Sequence, residues 1–454
     1  MRISAVTASA AVLLGLGASL AVSQTTSQAA GIDGRWDAQL TQNGVAVPFR
    51  LDIAGDGPTL KGIFYDGFKP YDGTTSATYQ DGKLVLNVEH YLTTITASLQ
   101  DGKLVGSVDS QSRGPASHYA FEATRHVDEK TVASNAPSIA GSWIIPLDGP
   151  SSKGEKAFRF IVEQHGPDVA ASILRIDGDT GAYSGTYKDG KWVLSHFDGS
   201  RPGVIEVSLQ QDGTLHILQA TAKARPAANP ASSGGAYAQE TADSRYASQL
   251  VAYRQDVAEA KGLPEPDNYL THTTARDPNE KFTFNFPDVN GKLVSNDDPR
   301  FKGKVVLAIV TGTWCPNCHD EAQYLVELDK KYRDKGLAIV ALDFEEPEQQ
   351  ASLAREKAFV KQYGVQYTYL IAGAPSDMWE KVPQLVNLNT WPATVFIGRD
   401  GRVKAVHSGF ASPASGDFHR QLEEEFTARI EQLLAETPSQ SVATSTPASS
   451  TAGQ

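Results

Sequence analysis

The chain holds two cysteines, Cys315 and Cys318, and they stand at Cys-x-x-Cys spacing in Trp314-Cys315-Pro316-Asn317-Cys318. Two thiols so placed at a helix start can close a small disulfide ring and reopen it, exchanging two electrons with another disulfide. A zinc site needs two further ligands. His319 adjoins the pair, but no second Cys-x-x-Cys or paired-His motif follows. A structural staple across so short a loop removes little chain entropy. Redox exchange is the chemistry that fits best.

The flanking sequence supplies the elements to position such a pair. Residues 304–311 form an apolar run suited to a strand buried on both faces, and Gly312, Thr313 and Trp314 make the turn. Residues 320–333 then place Ala322, Leu325, Val326, Leu328, Asp329 and Tyr332 along one mostly apolar helical stripe. Cys315 is thereby predicted at a helix N-terminus, where unpaired N–H groups and the positive dipole end favour a thiolate. It is the expected attacking sulfur. Cys318, one turn inside and less exposed, is the expected resolving thiol.

These residues resemble the thioredoxin superfamily, and more narrowly the TlpA-like and ResA-like extracytoplasmic thiol-disulfide oxidoreductases. The resemblance covers 277–436. Residues 282–291 look like the family's entry segment, Phe301-Lys302-Gly303-Lys304 like the lead into its first central strand, and Gly312-Thr313-Trp314-Cys315 like its active-site approach. Residues 390–397 followed by Asp400-Gly401 resemble its cis-proline strand and hairpin. The resemblance implies that Pro392 is cis and faces the cysteines, bordering the substrate groove. It also implies that Glu321 holds the family's active-site carboxylate position, assisting deprotonation of Cys318. Each has a plainer alternative: an ordinary trans proline, and a solvated charge in a first helical turn. Trp314, with Trp391, is expected to shape the partner-docking face, the alternative for Trp314 being packing alone.

There are departures from the pattern. Ile309 stands where thioredoxin carries a buried acid, which shifts proton handling onto Glu321 or solvent, and Pro316-Asn317 differs from the common Gly-Pro and Glu-Pro versions. A peroxiredoxin would show Pro-x-x-x-Thr-x-x-Cys, but Ala308 and Gly312 occupy the proline and threonine positions.

The rest of this segment alternates. Strands are predicted at 337–343, 367–371, 393–397 and 403–407, the last two joined by Asp400-Gly401, which suits a type I′ turn. Helices are predicted at 351–363, stopped by Gly364, at 376–385, and at 417–435, where Phe418, Leu422, Phe426, Ile430 and Leu433 share one face. The fold class is an α/β thioredoxin-like C-terminal domain, a mixed sheet flanked by helices, preceded by a duplicated antiparallel β region.

At 454 residues the chain is too long for one such domain. A 40% apolar composition and a formal net charge of -12 fit an acidic globular protein with no basic stripe for nucleic acid. Residues 1–30 read as a secretory signal, with Arg2 and then an apolar stretch short of a good membrane span; an uncleaved anchor is the alternative. A periplasmic or other extracytoplasmic location follows. There a dithiol needs an upstream membrane or envelope electron donor, or else works as an oxidant.

Residues 31–127 and 137–223 read as one unit written twice. Ile32-Asp33-Gly34-Arg35-Trp36 is echoed by Ile139-Ala140-Gly141-Ser142-Trp143, and Thr78-Tyr79-Gln80-Asp81-Gly82-Lys83 by Thr186-Tyr187-Lys188-Asp189-Gly190-Lys191. Further matches keep offsets of 107 to 111 residues. Each copy is strand-rich with Asp-Gly turns. Residues 224–276 read as a linker, hinge-like at 224–235, with a helix at 244–261 carrying Tyr246, Leu250, Tyr253 and Val257 on one face. Residues 437–454 are expected to be disordered.

The sequence thus points to an exported thiol-disulfide oxidoreductase acting on protein disulfides, reductase more than oxidase, with no cofactor or metal beyond its own cysteine pair. The alternative is an envelope ligand-binding protein in which the β region recognises a ligand and the redox part is an accessory or a dithiol oxidant.

Overall fold

The structure is a computed structural model that describes residues 31–42, 44–111, 116–127, 135–179, 181–220 and 246–436. The expected signal, the hinge at 224–235 and the C-terminal tail lie outside the described residues. No helix among the described residues is long and apolar enough to cross a membrane.

The C-terminal unit is built on a five-stranded mixed sheet in the order Thr368–Gly373, Leu337–Phe344, Val305–Thr311, Ala393–Ile397, Val403–Ser408. The first three strands run parallel; the last two join antiparallel. All seven residues of Val305–Thr311 are buried, as a strand covered by helices on both faces requires. Leu307 and Ile309 face Ala322, Leu325 and Phe426, while Ala308 and Val310 face Trp314, Phe344 and Trp391. The helices Pro316–Tyr332 and Asp417–Ala435 supply most of the first layer through Leu325, Leu328, Tyr332, Leu422, Phe426 and Ile430. Gly364 ends the helix Ala354–Tyr363 with φ of 64°.

The N-terminal region is antiparallel throughout. Nine strands between Gly34 and Arg125 form one sheet whose first and last strands pair at its centre, and whose two edge strands, Lys69–Gly73 and Ser76–Gln80, are consecutive in the chain. Trp36, Phe64, Leu86, Ile95, Leu104 and Phe121 meet in one core inside it. Eight strands between Gly141 and Arg254 close a barrel, filled by Trp143, Phe160, Trp192, Leu194 and Ile217. The two units repeat one clasp. Trp36 Nε1 donates to Ile32 O at 2.8 Å, and the Arg125 guanidinium lies 4.2 Å over the indole while donating to Gly31 O and Asp33 O. Trp143 Nε1 donates to Ile139 O at 2.9 Å, with Arg254 4.2 Å over its ring and donating to Ser138 O and Ala140 O.

The second clasp corrects the expected helix at 244–261. Residues Tyr246–Arg254 are the barrel's eighth strand, pairing with Leu215–Ala220 on one side and with Gly141–Pro146 on the other; only Gln255–Ala260 is helical. Leu250 sits opposite Ile217 and Ala252 opposite Leu215, a period of two that the coincident helical spacing of Tyr246, Leu250, Tyr253 and Val257 obscured. The open barrel edge decides between the two periods, because pairing on both sides satisfies every strand. Val257, expected on the docked face, is 40% exposed. The second β unit therefore extends to Arg254, and the hinge composition falls between two of its paired strands.

Candidate active site

Cys315 is the N-cap of the helix Pro316–Tyr332, with extended backbone (φ -101°, ψ 111°) and its sulfur accepting the Cys318 N–H at 3.3 Å. Pro316 takes the first helical position, where a missing N–H loses nothing. Burial is the largest influence on the Cys315 thiol and works to raise its pKa. The Cys318 thiol donating to it, the positive charge of Arg201 and the Cys318 N–H together carry it below the ordinary cysteine value. Cys318 is 1% exposed, and burial, then its place as donor to Cys315, pushes its thiol far up. Both thiols are free. The pair is thus divided into one ionisable sulfur and one that holds its proton.

The Trp391–Pro392 peptide is cis. The carbonyl oxygen of Trp391 lies 3.4 Å from the Cys315 sulfur, which donates to it as a thiol. Trp314 and Trp391 meet edge to face at 5.1 Å, and Trp314 Nε1 donates to Phe344 O. At 7% and 4% exposure they belong to the core here and form no open docking face.

Glu321 is buried, which removes the solvated-face alternative. It lines a small cavity with Cys318, Ile309, Thr311 and Tyr367. The Thr394 hydroxyl donates to its Oε1, and Oε2 has no hydrogen-bond partner. Burial pushes its pKa up to about 8, against the lowering effect of Thr394. Near neutral pH it is mainly the protonated acid, able to give a proton beside Cys318, and its ionised fraction can take one.

His319 is no metal ligand in this arrangement. Its Nε2 donates to Thr313 O at 2.7 Å, which leaves Nδ1 to accept from the Tyr363 hydroxyl at 2.9 Å, so both nitrogens are engaged by a neutral ring. Tyr91 of the first β unit packs against that ring at 4.3 Å. Asp343, Glu345 and Glu356 lie close enough together to suit a cation, but Glu345 is already bound by Arg355 and Thr313. Burial, then the charge of Glu345, raises the pKa of Asp343 well above the carboxylate range and that of Glu356 to about 7, so Asp343 keeps its proton at neutral pH.

Sequence reasoning missed the groups that the β region brings to the site. Asn317 Nδ2 donates to Asp177 O at 2.7 Å, Tyr71 donates to Asp320 at 2.6 Å, and Arg355 reaches Gln111 O. Thr394 was legible only as part of the proline strand. Asp177 and Arg201 carried no signal, since their nearness to Cys315 depends on how the barrel docks.

The family model described as Redoxin matches residues 275–422. The thiol-disulfide oxidoreductase ResA of Bacillus thuringiensis (strain Al Hakam) is 34% identical over 116 residues, 26% of this chain and 60% of that protein. ResA of Bacillus subtilis (strain 168) is 30% identical over 126 residues, 28% of this chain and 64% of its own. The chain therefore spans less than two thirds of these relatives. Among solved structures, a thiol:disulfide interchange protein of the thioredoxin family from Chlorobium tepidum TLS is similar over 36% of this chain and 99% of that one, at 22% identity and a TM-score of 0.26. The Redoxin match includes the strand, turn and helix that hold Cys315 and Cys318, and with the ResA similarity it makes the C-terminal unit similar to the ResA-like thiol-disulfide oxidoreductases of the thioredoxin superfamily.

Proposed function

We propose that the chain is a thiol-disulfide oxidoreductase that reduces protein disulfides through Cys315 and Cys318. The observation that carries this is the split within the pair: a helix-capping sulfur with its pKa lowered beside a buried sulfur with its pKa raised. The Cys315 thiolate attacks one sulfur of a substrate disulfide, forming a mixed disulfide and releasing the other sulfur as a thiolate. Glu321, in its ionised form, takes the Cys318 proton. The Cys318 thiolate then attacks the Cys315 sulfur, closing the internal disulfide and releasing the second substrate thiolate. The substrate gains two electrons and the pair loses two, so a dithiol donor must restore it. Pro392 and Trp391 border the place where the substrate sulfur arrives.

The leader-like residues 1–30 and the ResA resemblance support an extracytoplasmic setting with a membrane or envelope electron donor. The matched Trp and Arg clasps support the reading of the β region as a duplication. Side chains fill the barrel interior, so a ligand-binding role for the β region is not favoured. The test is reduction of a protein disulfide by the full chain supplied with a chemical dithiol, together with the pair's potential in glutathione buffers. Activity lost in Cys315→Ser and a potential below that of the oxidising compartment support a reductase. A strongly oxidising potential reverses the direction.

A further inference from the structure

The barrel places a tight turn against the redox pair. Arg175 and Gly178 close the turn through mutual backbone hydrogen bonds of 3.0 and 3.1 Å. Asp177 O accepts from Asn317 Nδ2, a side chain inside the Cys-x-x-Cys loop, and from Phe410 N at 3.3 Å. Gly178 forms a parallel bridge with Phe410. Asp179 then anchors the turn: its carboxylate accepts Ser412 N at 2.9 Å, Ser412 Oγ at 2.7 Å and the Ser415 hydroxyl. The strip it grips, 409–412, adjoins the active-site proline, since Gly409 N donates to Pro392 O at 2.8 Å.

Two glycines let the backbones come this close. A Cβ on Gly178 would stand 2.0 Å from Phe410 O, and one on Gly409 would stand 2.2 Å from Ile176 O; both residues hold positive φ. A second contact closes the side: Lys153 pairs with Asp177 while its carbonyl accepts from Asn389 Nδ2 at 3.3 Å. Beneath this cover Cys315 is 5% exposed. A mixed disulfide needs a substrate sulfur to approach the Cys315 sulfur, and a folded substrate protein brings a backbone with it.

We propose that the 175–179 turn is an intramolecular strap occupying the substrate-docking side of Cys315, so that exchange with a protein disulfide requires the turn to leave the 409–412 strip. This deepens the proposed function, resting on Cys315 as the nucleophile. Asn317, the departure from the usual dipeptide, gains a specific role here, since its side chain holds the strap by Asp177 O.

Bulky thiol modification of the reduced full chain tests it, using a polyethylene-glycol maleimide with peptide mapping to Cys315 and small iodoacetamide for comparison. In the wild type, the bulky reagent should react far more slowly with the native protein than with the urea-unfolded protein. Gly178→Ala, which forces a Cβ into Phe410 O, and Asp179→Asn, which turns an amide toward Ser412 N–H, should each speed the bulky reaction by about tenfold or more, since each weakens the contacts that hold the turn on the 409–412 strip. The iodoacetamide rate should change less. Near-UV circular dichroism reports folding of the variants, and the wild-type comparison stands alone if neither folds. Native wild-type protein reacting at the unfolded rate, or folded variants reacting like the wild type, would overturn the strap. A faster bulky reaction without disulfide exchange in any form would keep the strap and refute the proposed function instead.

Discussion

Replacing Glu321 by glutamine removes a buried acid whose pKa rises from 4.5 to about 8 on folding. The folded state then binds this proton more tightly than the unfolded chain. The group's full stability is present below the unfolded value and is lost as pH climbs through the folded one. Between about pH 5 and about pH 7.5 the unfolded chain releases the proton and the folded protein does not, which at about 1.4 kcal/mol per unit removes roughly 3 kcal/mol of stability. Glutamine cannot titrate, so the variant should lack that decline. Its amide brings two N–H donors to the side where the protonated carboxyl has one, and where Oε2 has no partner, so one further unpaired donor costs about 1–2 kcal/mol at every pH in this range. The variant should thus be the less stable protein near pH 5 and the equal or more stable one near about pH 7.5. Urea unfolding of the reduced proteins across this range, followed by tryptophan fluorescence, reads the crossover. Parallel stability profiles for the two proteins would refute the raised pKa, and with it the view of Glu321 as a proton store for Cys318.

Other expectations follow from the same geometry. Thiol titration should place Cys315 below an ordinary cysteine and Cys318 above it, in the directions set by the helix cap and by burial, and two equal values would contradict the split. Arg201→Gln should raise the Cys315 pKa and slow its alkylation near neutral pH, because the guanidinium charge is one of the influences holding the thiol down; an unchanged titration would remove Arg201 from the site. Arg254→Ala should destabilise the barrel by about 1–2 kcal/mol through loss of the ring contact and the carbonyl bonds, read as a lower urea midpoint. A protease site inserted between Ala220 and Tyr246 should leave the two fragments bound after cleavage, because Tyr246–Arg254 is paired on both sides; fragments that separate on a sizing column would restore the independent linker.

What was legible in the sequence was local. Strand, turn and helix around Cys315 are written within 304–333, where an apolar run, a glycine turn and a helical stripe follow in order, and no distant partner is needed to choose among them. The Asp400-Gly401 hairpin and the helix Asp417–Ala435 are of the same kind. The strand at 246–254 was not legible, because its residues satisfy a helical and a strand spacing together, and the deciding fact is an open barrel edge supplied by residues more than a hundred positions earlier. Glu321 could be placed only through the family resemblance, and its burial depends on Thr394, Tyr367 and the sheet between them. The covering of Cys315 was the least visible feature, since Asp177 and Arg201 reach the site only through the docking of the β region.

The central claim is that Cys315 attacks and Cys318 resolves, and trapping the intermediate tests it most directly. Cys318→Ser incubated with a disulfide-bonded protein substrate should accumulate a mixed disulfide that mass spectrometry maps to Cys315, and Cys315→Ser should accumulate none. A trapped adduct on Cys318 in the Cys315→Ser protein, or no adduct in either variant, would contradict the account.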